Sequence, residues 1–334
     1  STHCISSAAS DVYKRQVLMF NSRFTSLSDL RKAFPTEQSC IDYLEERRWH
    51  GNVISPFDKT SKVYKCKDNK YRCKNTGKYF DVKTKTIFQG TRIPLISWFE
   101  AIWTILSYKK GISSVQLGEN IKVSQKTAWF MMHRIRKALG IDNDVGSEDE
   151  GGGGKLSGTV EIDETFIGGK NKNRHFNKKV PKCQGRSYKD KTPVFGLIQQ
   201  GGKVIAKVVP NTQVKSLSPL ILRYVKLGSD LYTDEWNYGK KADTLYNHQN
   251  VNHKKGFYGK GAFTTNHIEN FWSVVKRGVI GVYHYWSRRH IQKYIDEFVY
   301  RFNRRELTNR EKFDRLLENL EYRLTYKELI YGRY

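Results

Sequence analysis

The sequence has few cysteines and no long apolar run, and each shortage excludes a class of protein. Its 334 residues include only five cysteines, at irregular spacing, which excludes a disulfide framework and favours a reducing compartment. No stretch approaches the ~20 apolar residues that a membrane span needs. Residues 1–18 lack the charged-then-apolar order of a signal peptide. Because they resemble translated vector sequence and precede the first methionine, Met19, we expect them to be a non-native leader.

Acidic residues are also scarce. The chain has 33 Asp and Glu against 59 Lys and Arg, a formal net charge of +26. Such an excess would repel itself in a compact fold unless a polyanion is the partner. Nucleic acid is the first candidate and an anionic membrane surface the second, with an ordinary basic protein as the alternative. Tyrosines and tryptophans scattered among the basic residues suit contacts with bases and phosphates.

The length predicts about two domains, and a glycine-rich segment separates two kinds of pattern. Upstream of "NDVGSEDEGGGGKLSG" lie a helical pattern, short aromatic runs that indicate a small β-unit, and a further helical region. Downstream the pattern is that of an α/β domain, with a hairpin turn at Gly201-Gly202. The predicted strands are 158–167, 193–199, 203–209, 230–233 and 250–254, and the predicted helices are 214–227, 237–247, 266–277 and 288–305.

Three carboxylates stand at informative places in that domain. Asp163 lies in its first strand, Asp234 ends a later strand, and Glu269 lies in a helix. This order is typical of the ribonuclease-H-like layout, in which three acids converge on one edge of the sheet. Carboxylates suit Mg²⁺, and two such ions about 4 Å apart stabilise the attacking and leaving oxygens of a phosphoryl displacement. A chance arrangement of common residues is the alternative.

The first strand also carries Glu161 and Glu164, and Asp234 is followed by Glu235. In each of the pairs Asp163-Glu164 and Asp234-Glu235, either side chain could point toward the predicted metal site. Strand alternation places Glu161, Asp163 and Thr165 on one face and Glu164 on the other, which favours Asp163.

Five segments together resemble the transposase domain of a bacterial insertion-sequence family, the ISXO2-like group related to the eukaryotic Merlin elements. In order they are "VEIDETFIGGK", "KTPVFGLIQQGGKV", "LYTDEWNYG", "TNHIENFWSVVKRGVIGVYHYWSRRH" and "EFVYRFNRR". "KYRCKNTGKYFDVKTKTIFQGTRIPLISWFEAIW" and "KGISSVQLGENIKVSQKTAWFMMHRIRKAL" resemble the upstream part of the same proteins. The resemblance extends from about Phe20 to Asn303.

The resemblance implies a DNA transposase of the DDE type that uses two Mg²⁺ or Mn²⁺ ions. Its catalytic and metal-binding acids fall on Asp163, Asp234 and Glu269. Because some relatives have Asn or His at the third position, Asn266 and His267 remain alternatives to Glu269. The family pattern also has a basic residue seven positions after the third acid. Here that residue is Lys276, which shares a helix face with Glu269 and would hold a DNA phosphate.

Relatives also carry a zinc ribbon with two Cys-x₂-Cys pairs upstream. The matching positions here are Ser55 and Asp58, then Cys73 and Thr76. Since one thiolate of four remains, we expect the shape of the ribbon to be retained and its zinc to be lost. Side chains would then fill its interior, and the candidates are Tyr64, Tyr71, Tyr79 and Phe80.

Residues 112–139 predict a helix-turn-helix, whose second helix would enter the major groove of DNA. An ordinary helical hairpin is the alternative. We expect Trp129, Met132 and Ile135 to face the core. The predicted DNA-binding residues are Ser124, Gln125, Lys126, Arg134, Lys276 and Arg277.

The expected function is cleavage of the terminal inverted repeats of the element and strand transfer into target DNA. A transposase-derived DNA-binding protein without catalysis, or a nuclease that cuts without joining, are the alternatives. We expect double-stranded DNA as partner, a homo-oligomer on DNA, no membrane, and a cytoplasmic, nucleoid-associated location in bacteria. The expected divisions are a leader (1–18), a helix with a degenerate ribbon (19–90), a helix-turn-helix region (91–140), a linker (141–157), a ribonuclease-H-like domain (158–305) and a helical tail (306–334).

Overall fold

The computed structural model describes residues 24–145, 155–168, 175–181, 187, 189–234, 244–251 and 265–332. The predicted leader lies outside these residues. The chain divides into two units: unit 1 comprises the described residues up to Ala138 together with those from Glu306 onward, and unit 2 is Leu139–Arg305. None of the helices among the described residues combines the length and the apolar composition that a membrane span requires.

Unit 1 is mainly helical. Its helices are α1 (Leu27–Ala33), α2 (Glu37–Trp49), α3 (Leu95–Ser107), α4 (Ser114–Asn120), α5 (Gln125–Val145, whose last residues belong to unit 2), α9 (Asn309–Glu318) and α10 (Tyr326–Tyr331). The first helical pattern upstream of the predicted ribbon comprises two helices separated at Pro35, because proline cannot continue a helix. Thr36 then begins α2 with a capping box.

The two ends of the chain share one core in unit 1. Phe313 of α9 packs edge-on against Phe24 and Phe99, with ring centroids 5.7 and 5.3 Å away. Phe34 packs edge-on against Phe99 at 5.0 Å, and Trp103 contacts Phe313 at 6.2 Å. Such aromatic contacts bury large apolar areas. The helices after Glu306 are therefore part of the core of unit 1.

A small sheet follows α2 in unit 1. Its strands are β1 (Val63–Lys65), β2 (Tyr71–Cys73) and β3 (Tyr79–Phe80), paired antiparallel in that order. Tyr71 and Phe80 are buried and pack edge-on against Trp49. Tyr64 and Tyr79, by contrast, are 43% and 60% exposed, so the prediction that they fill the interior was wrong. The alternation within each short strand turns these two rings outward.

The predicted remnant of the zinc ribbon is a cluster of hydrogen-bonding side chains. Burial raises the pKa of the Cys73 thiol, but hydrogen bonds from Ser55, Ser61 and Thr76 outweigh burial and lower that pKa to about 6. The side-chain amide of Asn75 donates to Asp58 at 2.8 Å. Protein groups thus interact with one another at the positions that the resemblance matches to zinc ligands, and the expected loss of zinc stays a prediction.

Unit 2 has both helices and strands, which confirms the predicted α/β class. Its strands are β4 (Thr159–Ile167), β5 (Thr192–Gln199), β6 (Val204–Val208), β7 (Asp230–Asp234) and β8 (Asn247–Val251), and its helices are α6 (Val214–Tyr224), α7 (Asn266–Gly278) and α8 (Ile291–Asn303). The predicted helix at 237–247 lies mostly outside the described residues. β8 begins at Asn247, three positions before the predicted strand.

One mixed sheet organises unit 2, with the strand order β6-β5-β4-β7-β8. β4, β5 and β6 are antiparallel neighbours, whereas β7 and β8 run parallel to β4. Both faces are covered, because alternate residues of β4, β5 and β6 enter two different cores. Val194 and Ile198 of β5 pack with α7 and α8, while Phe195 and Leu197 pack with α6.

The chain between α7 and α8 contains two short turns, and the second occupies the start of the helix predicted at 288–305. A π-helical turn, Val279–Tyr283, continues directly from α7, and a 3-10 turn, Arg288–His290, precedes α8. The Tyr283 hydroxyl donates to Glu297 at 2.8 Å, and Trp286 stacks on Tyr294 with centroids 4.7 Å apart. These contacts fix the π-helical turn against α8.

Candidate active site

Asp163 lies in the middle of the sheet, on the central strand β4. Its neighbour across the antiparallel pair is Gly196 of β5. One of its carboxylate oxygens, Oδ1, accepts a hydrogen bond of 2.8 Å from the backbone N–H of Glu164. Ile162 enters the core on the α6 side, so alternation puts Asp163 on the α7 side.

The end of β7 lies beside Asp163. β4 and β7 are parallel, and Ile162 is in register with Thr233. The next residue is Asp163 on β4 and Asp234 on β7. Asp234 is also the last residue of β7. The backbone therefore brings these two positions together at adjacent strands, while the side chain of Asp234 lies outside the described residues.

Glu269 is carried by helix α7. Ile268, Phe271, Trp272 and Val275 recur at helical spacing and are buried, so this face packs on the sheet. Glu269 is exposed in the first turn of the helix, where a negative charge is favourable because of the helix dipole. The basic residues Lys276 and Arg277 are exposed in its last turn, where a positive charge is favourable.

Asp163, Glu269 and the two basic residues of α7 line one cavity of about 450 Å³. The side chains that line it are Asp163, Glu269, Trp272, Ser273, Lys276, Arg277 and Ile280. The structure thus brings the predicted first and third acids together with the predicted phosphate-binding lysine. Of the alternatives for the third acid, Glu269 lines this cavity, whereas the His267 ring nitrogen Nδ1 lies 2.6 Å from Glu161.

The donors in this cavity fit a hard divalent cation. Mg²⁺ prefers carboxylate and water oxygens, and Asp163 and Glu269 offer carboxylates from two different elements at one open cavity. Lys276 and Arg277 on the same wall would balance the charge of a bound phosphate. Among the described residues the cavity thus combines two carboxylates with two cations.

Sequence reasoning did not assign a role to Glu161, although it placed this residue on the face of Asp163. Glu161 is fully buried. Its Oε2 accepts hydrogen bonds from the backbone N–H groups of His267 and Ile268, at 2.9 and 3.0 Å. An acid two positions before Asp163 on the same strand face was the signal that could have revealed this contact.

Gly196 is the second residue whose importance the sequence did not show. A Cβ atom at this position would lie 2.3 Å from Cζ2 of Trp272 and 2.9 Å from Cδ1 of Ile268. Only glycine lets α7 approach the sheet this closely beside Asp163. An isolated glycine within the apolar strand "VFGLI" was the available signal.

The predicted DNA-contacting residues of unit 1 lie at the start of α5. Ser124, Gln125 and Lys126 are exposed. The Ser124 hydroxyl accepts the backbone N–H of Thr127 at 3.2 Å and so caps the helix, and Gln125 donates to Ser114 of α4 at 2.8 Å. Ser124 and Gln125 therefore also stabilise the turn between the two helices.

Arg134 contradicts its predicted role in DNA binding. It is only 6% exposed, and its guanidinium donates to the backbone carbonyls of Leu324, Ile87 and Gln89 at 3.0, 2.7 and 3.2 Å. Burial lowers the pKa of Arg134 to about 10. A buried guanidinium that is occupied by three carbonyls holds unit 1 together and does not reach a DNA phosphate. Met132 and Ile135 are buried as predicted, and Trp129 is half-buried.

Several known proteins are similar to this chain. Among solved structures, a chain of a pre-cleavage Mos1 transpososome aligns over 65% of this chain and 76% of its own, at 13% identity and a TM-score of 0.26, too low to carry an argument. A protein of the transposable element ISH50 of Halobacterium salinarum is 26% identical over 259 residues, which cover 74% of this chain and 84% of that protein.

A transposase-like protein of Haemophilus influenzae is 33% identical over 106 residues, which cover 31% of this chain and 85% of that protein. The sequence profile of the ISXO2-like transposase domain matches residues 155–303, the region that contains the sheet, α7 and the cavity. The chain therefore belongs to the ISXO2-like transposase family.

Proposed function

We propose that the protein is a DDE transposase, a metal-dependent enzyme that cleaves the ends of its element and joins them to target DNA. Asp163, Asp234 and Glu269 would be its three acids, on a ribonuclease-H-like domain. The observation that carries the proposal is the shared cavity of Asp163, Glu269 and Lys276 in a chain of a transposase family. The strand order and the adjacent ends of β4 and β7 support it.

The residues of the chain have separable tasks in this proposal. Asp163, Asp234 and Glu269 would hold Mg²⁺ or Mn²⁺. When bound, two such ions would stabilise the attacking and leaving oxygens of a phosphoryl displacement. Lys276 and Arg277 would bind a phosphate of the DNA backbone and so orient the scissile strand. Exposure of both cations on the cavity wall leaves them accessible to such a strand.

Helices α4 and α5 would supply the binding of terminal-repeat DNA as a helix-turn-helix. Lys126 is exposed at the start of α5, where the second helix of this motif meets the major groove. The net charge of +26 supports a polyanionic partner. We further propose a homo-oligomer on DNA and a bacterial, nucleoid-associated location.

The test uses labelled DNA duplexes that carry the inverted repeats flanking the gene, with Mn²⁺ and a target plasmid. Wild-type protein should produce cleaved and joined strands. Asp163→Asn should abolish both products but bind the duplex as wild type does, because the carboxylate would hold metal and not DNA. Glu164→Gln is the matched control, since it changes the neighbouring acid on the opposite strand face and should leave cleavage intact.

Each outcome distinguishes among the possible functions. Joined product from wild type and none from Asp163→Asn supports the transposase. Binding without cleavage by wild type would indicate a DNA-binding protein derived from a transposase, and cutting without joining would indicate a nuclease. Equal cleavage by Asp163→Asn and wild type would show that Asp163 is not a catalytic acid.

A further inference from the structure

A buried carboxylate attaches the helix that carries Glu269 to the strand that carries Asp163. Glu161 is 0% exposed, and burying an unpaired carboxylate is costly. Here both of its oxygens accept hydrogen bonds. Oε2 receives the N–H groups of His267 and Ile268, and Oε1 lies 2.6 Å from His267 Nδ1 and 3.3 Å from the Gln200 amide.

These N–H groups are the ones that a helix-capping side chain ordinarily satisfies. The residue at the cap position of α7 is Thr265, and its side chain makes no hydrogen bond to the first-turn N–H groups. Its hydroxyl instead donates to Glu269 Oε1 at 3.3 Å. A strand residue more than a hundred positions earlier in the sequence thus caps α7, with its carboxyl group at the positive end of the helix dipole.

The position of this cap matters because of what lies next to it. On β4, Glu161 is two residues before Asp163 and on the same strand face. On α7, His267 and Ile268 immediately precede Glu269. The hydrogen bonds from Glu161 therefore fix the start of α7 relative to β4 within one or two residues of both acids.

We propose that Glu161 is a positioning residue, which sets the placement of Glu269 relative to Asp163 by capping α7 and does not itself hold metal. The role in cleavage rests on the proposed transposase function, whereas the contact with α7 can be tested without it. Glutamine at position 161 can still present one oxygen to both N–H groups. Aspartate keeps the charge but is one methylene too short to reach them.

The experiment measures hydrogen exchange of peptides covering 265–272 in the full chain, together with Mn²⁺-dependent cleavage of the flanking-repeat duplex at saturating protein. In Glu161→Ala and Glu161→Asp, exchange of the first turn of α7 should accelerate by about tenfold or more, and cleavage should fall about a hundredfold, because a shift of about 1 Å at a reacting group can have that effect. In Glu161→Gln, both should stay within about fivefold of wild type. DNA affinity should be unchanged in all three.

Asp142→Asn is the matched control. Asp142 is also a buried acid of unit 2, but it pairs with Arg304, and neither residue lies on β4 or α7. Its substitution should lower the melting temperature without changing the exchange of 265–272 relative to the rest of unit 2. If Glu161→Ala does not fold, the difference in hydrogen exchange and cleavage between Glu161→Gln and Glu161→Asp tests the proposal.

Two results would overturn the proposal. If Glu161→Gln were as inactive as Glu161→Ala while the first turn of α7 stayed protected, Glu161 would act through its charge, as a metal ligand does. If Glu161→Ala lost that protection but cleaved at the wild-type rate, the cap would not position Glu269. A wild-type protein that cut no DNA would refute the proposed function, and the exchange result would still decide whether Glu161 holds α7.

Discussion

Replacing Gly196 with alanine should disturb the candidate active site without altering any of the proposed catalytic side chains. The added Cβ would lie 2.3 Å from Trp272 Cζ2 and 3.0 Å from Cη2, so the indole must move by about 1 Å to reach an ordinary contact distance. Trp272 is 2% exposed and surrounded by core residues. Overpacking of this kind costs about 1–3 kcal/mol of folding free energy. In a unit of 167 residues, a loss of ~2 kcal/mol should lower the melting temperature by roughly 4–8 °C.

The same substitution should slow cleavage more than its effect on stability explains. Trp272 is three residues after Glu269 on α7, so a shift of the indole moves the helix face that carries the acid. At saturating DNA, the cleavage rate should fall by up to about a hundredfold. Gly281→Ala is the control, because a Cβ at Gly281 meets no atom within 4 Å. Its melting temperature and cleavage should match those of wild type.

A double mutant makes this prediction refutable. Trp272→Phe removes the two ring atoms that the new Cβ would meet, and within the described part of the chain the indole N–H has no hydrogen bond to lose. Gly196→Ala combined with Trp272→Phe should therefore be more stable than the sum of the single effects predicts, with a coupling of about 1 kcal/mol or more. Thermal unfolding of all four proteins measures this coupling. Strict additivity, or a Gly196→Ala variant that melts and cleaves as wild type does, would show that the close approach does not constrain α7.

The remaining predictions concern phosphate binding, unit 1 and zinc. Lys276→Ala should reduce the cleavage rate about a hundredfold at saturating DNA and lower the salt dependence of DNA binding by about one unit of slope. A wild-type cleavage rate would show that Lys276 is an ordinary surface lysine. Arg134→Met should destabilise unit 1 by about 3 kcal/mol in chemical denaturation, because three carbonyls lose their hydrogen-bond donor. Unchanged stability together with a weaker salt dependence of DNA binding would instead support the predicted DNA-binding role of Arg134. Hydrogen bonds from the side chain and the backbone N–H of Thr308 lower the pKa of Glu311 below its ordinary value of 4.5. The stability that Glu311 contributes is therefore present above pH 4.5 and is lost as the pH falls through the lower pKa of the folded state. Acid denaturation of Glu311→Gln should accordingly be less steep in that range than that of wild type, and identical curves would contradict the capping box. Elemental analysis should find well under one zinc per chain, and stoichiometric zinc would show that the ribbon still binds metal.

The sequence predicted the elements of unit 2 well where a local pattern defines them. Alternation and the Gly201-Gly202 turn specified the β5–β6 hairpin, and the apolar spacing of Ile268, Trp272 and Val275 specified α7. The order of Asp163, Asp234 and Glu269 along these elements then anticipated the cavity that the structure shows for the first and third. Periodicity was sufficient there because each element buries one face.

What the sequence did not reveal depends on contacts between distant residues. No local pattern says that Glu161 caps a helix that begins at Asn266, or that Phe313 completes the core around Phe24. Arg134 was predicted to bind DNA because the local sequence does not show its partners. The three carbonyls that accept its hydrogen bonds lie 45 or more positions away along the chain. Tyr283 at the end of the π-helical turn after α7 contacts Glu297 of α8, and a helix-period pattern cannot distinguish such a turn from an α-helix.

The division of unit 1 between the two ends of the chain has a consequence for synthesis on the ribosome. Phe313 and its helix are translated only after the 167 residues of Leu139–Arg305, which takes roughly 8–33 s at the usual rates of elongation. During that interval the aromatic rings around Phe99 lack the partner that packs against them in the finished protein. The aromatic core of unit 1 is therefore complete only after the segment that carries Phe313 has been translated. A message that ends before codon 306 would therefore yield unit 2 attached to a unit 1 that lacks Phe313.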